Sequence, residues 1–158
     1  MYEVNGGCYC GNLVLEMRLT QRPEWLKPRA CDCDFCRKHA AAYVSDPDGS
    51  LVVRIHDETK ARKTRQGSGM AEFLLCGECG VLVGAFYQSG VSLYAAVNAM
   101  SLDPAVRFGV EQAVSPKRLS TAEKTRRWSE VWFSDVTVVS RSTPPPWRDE
   151  QDQGLRCS

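Results

Sequence analysis

The chain has 158 residues, with 20 Lys and Arg against 19 Asp and Glu, for a net charge of +1. That balance removes the electrostatic case for nucleic acid or an anionic membrane as a partner. No apolar run approaches the roughly 18 residues of a spanning helix, and the length fits one domain able to bury a real core.

The N-terminal stretch MYEVNGGCYC has no basic region followed by an apolar one. The sequence therefore predicts no signal peptide and a reducing, cytoplasmic setting. In such a setting, clustered cysteines bind metal or do redox chemistry more often than they form disulfide frameworks.

In chain order the signals are mostly those of strands. Leu13, Leu15, Met17 and Leu19 alternate with Val14, Glu16 and Arg18, the period of a half-buried strand. Asp46-Pro47-Asp48-Gly49 reads as a turn into a second strand over Leu51 to Ile55. Ala71 to Leu75 forms a third. Val81 to Tyr87 and Val91 to Val97 flank Gln88-Ser89-Gly90 as a hairpin. Trp132 to Val139 gives a last strand.

Two helices are expected. One runs from Asp34 to Ala42 with Asp34 as its cap, the other from Thr121 to Trp128 with Glu123 and Arg127 at helical spacing. The basic run Lys60 to Arg65 reads as a solvated loop. Trp25, Phe86 and Tyr94 read as core, and Asn98 and Asp103 as turn residues. The fold class is thus mainly β with few short helices. The domain spans residues 1–141, and 142–158 form a Pro-containing polar tail, expected to be disordered, that carries Cys157.

Seven of the eight cysteines fall in three clusters: Cys8 and Cys10; Cys31, Cys33 and Cys36; Cys76 and Cys79. A tetrahedral zinc takes four such ligands. Glycines flank both the first and the last cluster, and glycine lets a backbone fold tightly about a metal. Cys8, Cys10, Cys76 and Cys79 therefore pair as one closed, structural site. Cys31, Cys33 and Cys36 form a second site with three protein ligands, which leaves a fourth position for substrate. Two Zn2+ ions per chain are expected.

Other readings of the middle cluster stay open. His39, His56 or an aspartate could close it as a second structural zinc. Cys33 and Cys36 could be a redox pair, although the strand and helix alternation of that motif is missing. An iron–sulfur cluster is compatible with cysteine spacing alone.

The ordered motifs Gly6-Gly7-Cys8-Tyr9-Cys10-Gly11, Cys31-Asp32-Cys33-Asp34-Phe35-Cys36-Arg37 and Cys76-Gly77-Glu78-Cys79-Gly80 resemble the glutathione-dependent formaldehyde-activating enzyme (GFA) family over roughly residues 3–139. The resemblance implies an Mss4-like β-tent of antiparallel strands stabilised by zinc. It also implies a closed zinc at Cys8, Cys10, Cys76 and Cys79 and an exposed one at Cys31, Cys33 and Cys36, which would be the catalytic residues. The implied activity is that of a carbon–sulfur lyase. A thiol such as glutathione is activated for reversible addition to a small aldehyde such as formaldehyde. The competing class is a non-catalytic zinc module with a protein partner. One departure concerns the late His and aromatic pair that family members carry before a Trp. Here that region reads Val114-Ser115-Pro116-Lys117-Arg118, with Trp128 well downstream.

Overall fold

A computed structural model describes residues 1–141. The expected tail, with Cys157, lies outside the described residues.

The strands are β1 (Tyr2–Gly7), β2 (Leu13–Leu19), β3 (Arg29–Cys31), β4 (Ala42–Val44), β5 (Ser50–Ile55), β6 (Ala61–Arg65), β7 (Glu72–Cys76), β8 (Leu82–Ser89), β9 (Ser92–Asn98), β10 (Gln112–Val114) and β11 (Asp135–Ser140). Among the described residues the α-helices are α1 (Asp34–Lys38) and α2 (Thr121–Val131). The chain is mainly β, as its alternating segments predict.

Two sheets form, a four-stranded one in the order β1-β2-β5-β11 and a seven-stranded one in the order β10-β3-β4-β9-β8-β7-β6. Most pairs are antiparallel, but β11 runs parallel to β5 and β10 parallel to β3. Among the described residues no helix is long and apolar enough to cross a membrane.

The alternation along β2 points Leu13, Leu15, Met17 and Leu19 into the core, each no more than 1% exposed. Leu51, Val53 and Ile55 of β5 join them, together with Val83, Ala95 and Val97 from the larger sheet. The larger sheet also buries its other face. Leu82, Ala85 and Ala96 point there and pack with Tyr43, Trp132 and Cys36 in a second cluster. On β9, Ala95, Ala96 and Val97 serve alternate clusters, as the period of two requires, whereas on β8 a register shift against Leu74 and Leu75 lets Leu82 and Ala85 share one.

Helix α2 covers part of that second face. Ser120 and Glu123 close its start as a capping box, with Glu123 Oε2 accepting from Ser120 N at 2.7 Å. Glu123 is therefore engaged at the cap rather than with Arg127. After the helix, Phe133 exchanges two backbone hydrogen bonds with Ala95, at 2.9 and 3.1 Å, and is fully buried. This bridge fixes the end of α2 against the sheet.

The structure corrects several expectations. Residues Ala61–Arg65 form β6, an edge strand, and not a loop. Its charged side chains suit an edge, which is protected from further pairing by charge. Arg65 meets Glu72 at 3.3 Å and Lys60 meets Glu78 at 4.0 Å. Trp25 is 67% exposed and is no core residue. The cap of α1 is Cys33 rather than Asp34, because the Cys33 sulfur accepts from Cys36 N.

Candidate metal centres and the adjoining cavity

The four-cysteine cluster joins the two sheets. Cys8 follows β1 and leads to β2, while Cys76 ends β7. Each lies in a tight turn. Cys8 N donates to Leu13 O at 2.9 Å, and Gly80 N to Cys76 O at 2.8 Å. Gly80 has φ +76, in the left-handed region that favours glycine. At Gly77 a side chain would meet Lys60 O at 2.9 Å, so this position has no room for one.

Cys8 Sγ lies 3.7 Å from Cys10 Sγ, which lies 3.4 Å from Cys76 Sγ. All four sulfurs are within 4.8 Å of one another. A tetrahedron with metal–sulfur bonds of about 2.3 Å has edges of about 3.8 Å, so the donor set fits a metal of that size. Burial pushes the Cys76 thiol up to about 11. Burial also opposes ionisation of Cys79, but amide donation from Cys10 and Val81 with its cysteine neighbours outweighs this and brings it down to about 7.

The three-cysteine cluster sits at the junction of β3 and α1. Cys31 ends the strand, Cys33 caps the helix and Cys36 lies within it, buried. Their sulfurs also fall within 4.8 Å of one another, and among the described residues no fourth His, Cys, Asp or Glu joins the group. His39 instead places its ring 4.8 Å from that of Phe35. His56 lies at the end of β5, its backbone N donating to Asn12 O at 2.9 Å. The Cys36 thiol is hydrogen-bonded to Cys31, which brings Cys31 down to about 6 and pushes Cys36 up. The cluster thus favours a thiolate on Cys31, the form that binds metal. Tyr43 Oη lies 3.3 Å from Cys36 Sγ.

A cavity of about 580 Å³ opens beside this cluster, and all three thiols line it. Phe35 and Phe73 contribute aromatic surface, with ring centroids 4.8 Å apart. Trp128 and Trp132 contribute more from α2 and its end, stacked at 4.9 Å with an interplanar angle of 21°. The lining includes four cations, Arg29, Lys117, Lys124 and Arg127, against the acid Asp34. Burial, followed by the like charge of Arg127, lowers Arg29 to about 10.

Sequence spacing marks the seven clustered cysteines, which the structure gathers as a group of four and a group of three. It does not reveal Arg29, Tyr43 or the α2 aromatics, which reach the cavity only through tertiary packing. Phe86 packs on the main core and Tyr94 on the second cluster. Asn98 caps a short turn, accepting from Met100 N at 3.3 Å and donating to Leu82 O at 3.0 Å. Asp103 likewise serves a turn, its Oδ1 accepting from Ala105 N at 2.9 Å.

Fold and site define a two-sheet β protein with two cysteine centres able to hold metal, one of them beside a cavity. The model of the family described as glutathione-dependent formaldehyde-activating enzyme matches residues 3–119, and the chain belongs to that family. A crystal structure of a Rhodobacter sphaeroides protein from a structural genomics programme is similar in fold. It has a TM-score of 0.50 and 24% identity, covering 64% of this chain and 89% of that one. Comparison with curated proteins gives no match.

Proposed function

We propose that the chain is a cytoplasmic, zinc-dependent carbon–sulfur lyase-like enzyme that joins a thiol reversibly to a small aldehyde. Glutathione and formaldehyde are the pair the family suggests. The observation that carries this reading is a three-cysteine cluster lining a cavity, with no fourth protein ligand among the described residues. A module with two purely structural metals has no use for such an arrangement.

Cys8, Cys10, Cys76 and Cys79 would hold a structural zinc, and Cys31, Cys33 and Cys36 the second. Bound there, zinc supplies positive charge that keeps a substrate thiol ionised near neutral pH. The remaining work belongs to the chain. Tyr43 orients Cys36 through the contact at 3.3 Å. Phe35, Phe73, Trp128 and Trp132 keep water from part of the cavity. In the forward direction a carbon–sulfur bond forms between the thiol sulfur and the carbonyl carbon. The proton lost by the thiol ends on the carbonyl oxygen. The reverse direction breaks that bond and regenerates thiol and aldehyde.

Exchange NMR on zinc-loaded protein with glutathione and formaldehyde tests the reading. Faster interconversion of free and adduct forms with wild type, lost in Cys33→Ser, is expected. Interconversion at the uncatalysed rate with wild type, or full rate in Cys33→Ser, contradicts it.

A further inference from the structure

The cavity is also lined by charged groups that the thiol chemistry does not use. Arg29 lies on β3 two residues before Cys31, so both project from the same side of that strand, with Cα atoms about 7 Å apart. Arg29 is half-buried and held in place. Its Nη2 donates to Ser45 Oγ at 2.6 Å, and Ser45 Oγ donates to Val131 O at 2.6 Å. Arg127 lines the same cavity from α2. Among the described residues neither guanidinium forms an ion pair, whereas Lys117 is matched by Asp32 at 3.6 Å. Two unmatched guanidiniums in one partly closed cavity favour an anion between them, and their planar forks suit a carboxylate.

Much of the remaining wall is apolar, with Phe35, Phe73, Trp128 and Trp132 as its aromatic part, beside polar Gln66, Ser68 and Ser115. Trp128 stacks on Trp132 at 4.9 Å and meets Tyr87 at 5.5 Å. Arg127, Trp128 and Trp132 all lie beyond the segment matched to the family, which ends at residue 119. Family membership therefore does not specify this wall. A polar tripeptide leaves the apolar part of this surface poorly matched, while an apolar or aromatic body covers it.

We propose that the cavity ends in a carboxylate site formed by Arg29 and Arg127, and that its substrate has an apolar or aromatic body. This rests on the proposed function only in placing a thiol beside Cys31, Cys33 and Cys36. Glutathione is then the weaker ligand.

Calorimetric titration of the zinc-loaded full chain tests this with four probes: 4-(mercaptomethyl)benzoate, benzyl mercaptan, 4-methylbenzoate and glutathione. The first is expected to bind about tenfold or more tighter than benzyl mercaptan, and tighter than glutathione, as a charge-assisted hydrogen bond implies. Arg29→Gln is expected to weaken both benzoates by about 10- to 100-fold and leave benzyl mercaptan unchanged. Arg127 is exposed, so Arg127→Ala tests the site without disturbing the core, with an expected loss of several-fold. Equal binding of the first two probes, tighter binding of glutathione, or benzoate affinity indifferent to Arg127→Ala overturns the proposal. If 4-methylbenzoate binds with Arg127 dependence and the added thiol contributes nothing, the carboxylate site stands and the thiol chemistry fails.

Discussion

Tyr43 Oη and Cys36 Sγ lie 3.3 Å apart, with Tyr43 only 8% and Cys36 1% exposed. A buried hydroxyl beside a sulfur able to ligate metal can donate a hydrogen bond that holds it in place, and such partners typically tune metal affinity by 10- to 100-fold. Tyr43→Phe retains the ring and removes the hydroxyl. Release of one of the two metals to a chromogenic chelator is expected to speed up by about tenfold, with the other unaffected. Global stability falls by about 1 kcal/mol at most, because only one hydrogen bond is lost. Equal release of both metals in wild type and variant would refute the assignment.

The two cysteine centres differ in what they hold together. Cys8 belongs to the β1–β2 turn and Cys76 to β7, so their cluster ties one sheet to the other, whereas Cys31, Cys33 and Cys36 span six residues at the β3–α1 junction. Cys76→Ser is expected to cost several kcal/mol, since metal binding energy is folding energy at a site that spans the chain. Cys33→Ser is expected to cost about 1 kcal/mol and to leave the fold intact. Urea unfolding of both variants checks the contrast.

Ser45 is 4% exposed and links Arg29 to Val131. Ser45→Ala leaves a part-buried carbonyl and a guanidinium each short of a partner. A loss of about 1–3 kcal/mol follows, measured by urea titration, with the cysteine centres still metal-loaded.

Glu123 caps helix α2, and the Ser120 backbone amide, then the Ser120 hydroxyl, hold its carboxyl below the usual glutamate range. A folded-state pKa lowered in this way adds stability above the unfolded value and loses it as pH falls through the folded value. The difference in thermal midpoint between wild type and Glu123→Ala is therefore expected to narrow as pH drops from 6 to below about 4. Amide exchange in α2 would rise over the same range. A constant difference across that range would contradict the capping role.

The sequence is legible where the signal is local. The alternation of Leu13 to Leu19 gives β2 with its exact bounds, because each residue's side is set by its neighbours two positions away. Each cysteine motif is legible for a similar reason, since short spacings keep its sulfurs close, but the meeting of Cys10 with Cys76, 66 positions on, is the work of the fold. Strands β3, β4 and β10 carry no such mark. Each has three residues and exists only because a neighbouring strand supplies hydrogen bonds. Trp25 misleads because its apolar bulk suggests burial while the fold leaves it at the surface. Arg29 and Arg127 are 98 positions apart, and no local pattern announces that they share a cavity.

The central claim is that Cys31, Cys33 and Cys36 hold a metal of their own. Native mass spectrometry of reduced wild type and Cys33→Ser tests it directly. The account predicts two zinc ions per wild-type chain and one in the variant. One ion in wild type, or two retained in Cys33→Ser, would contradict it.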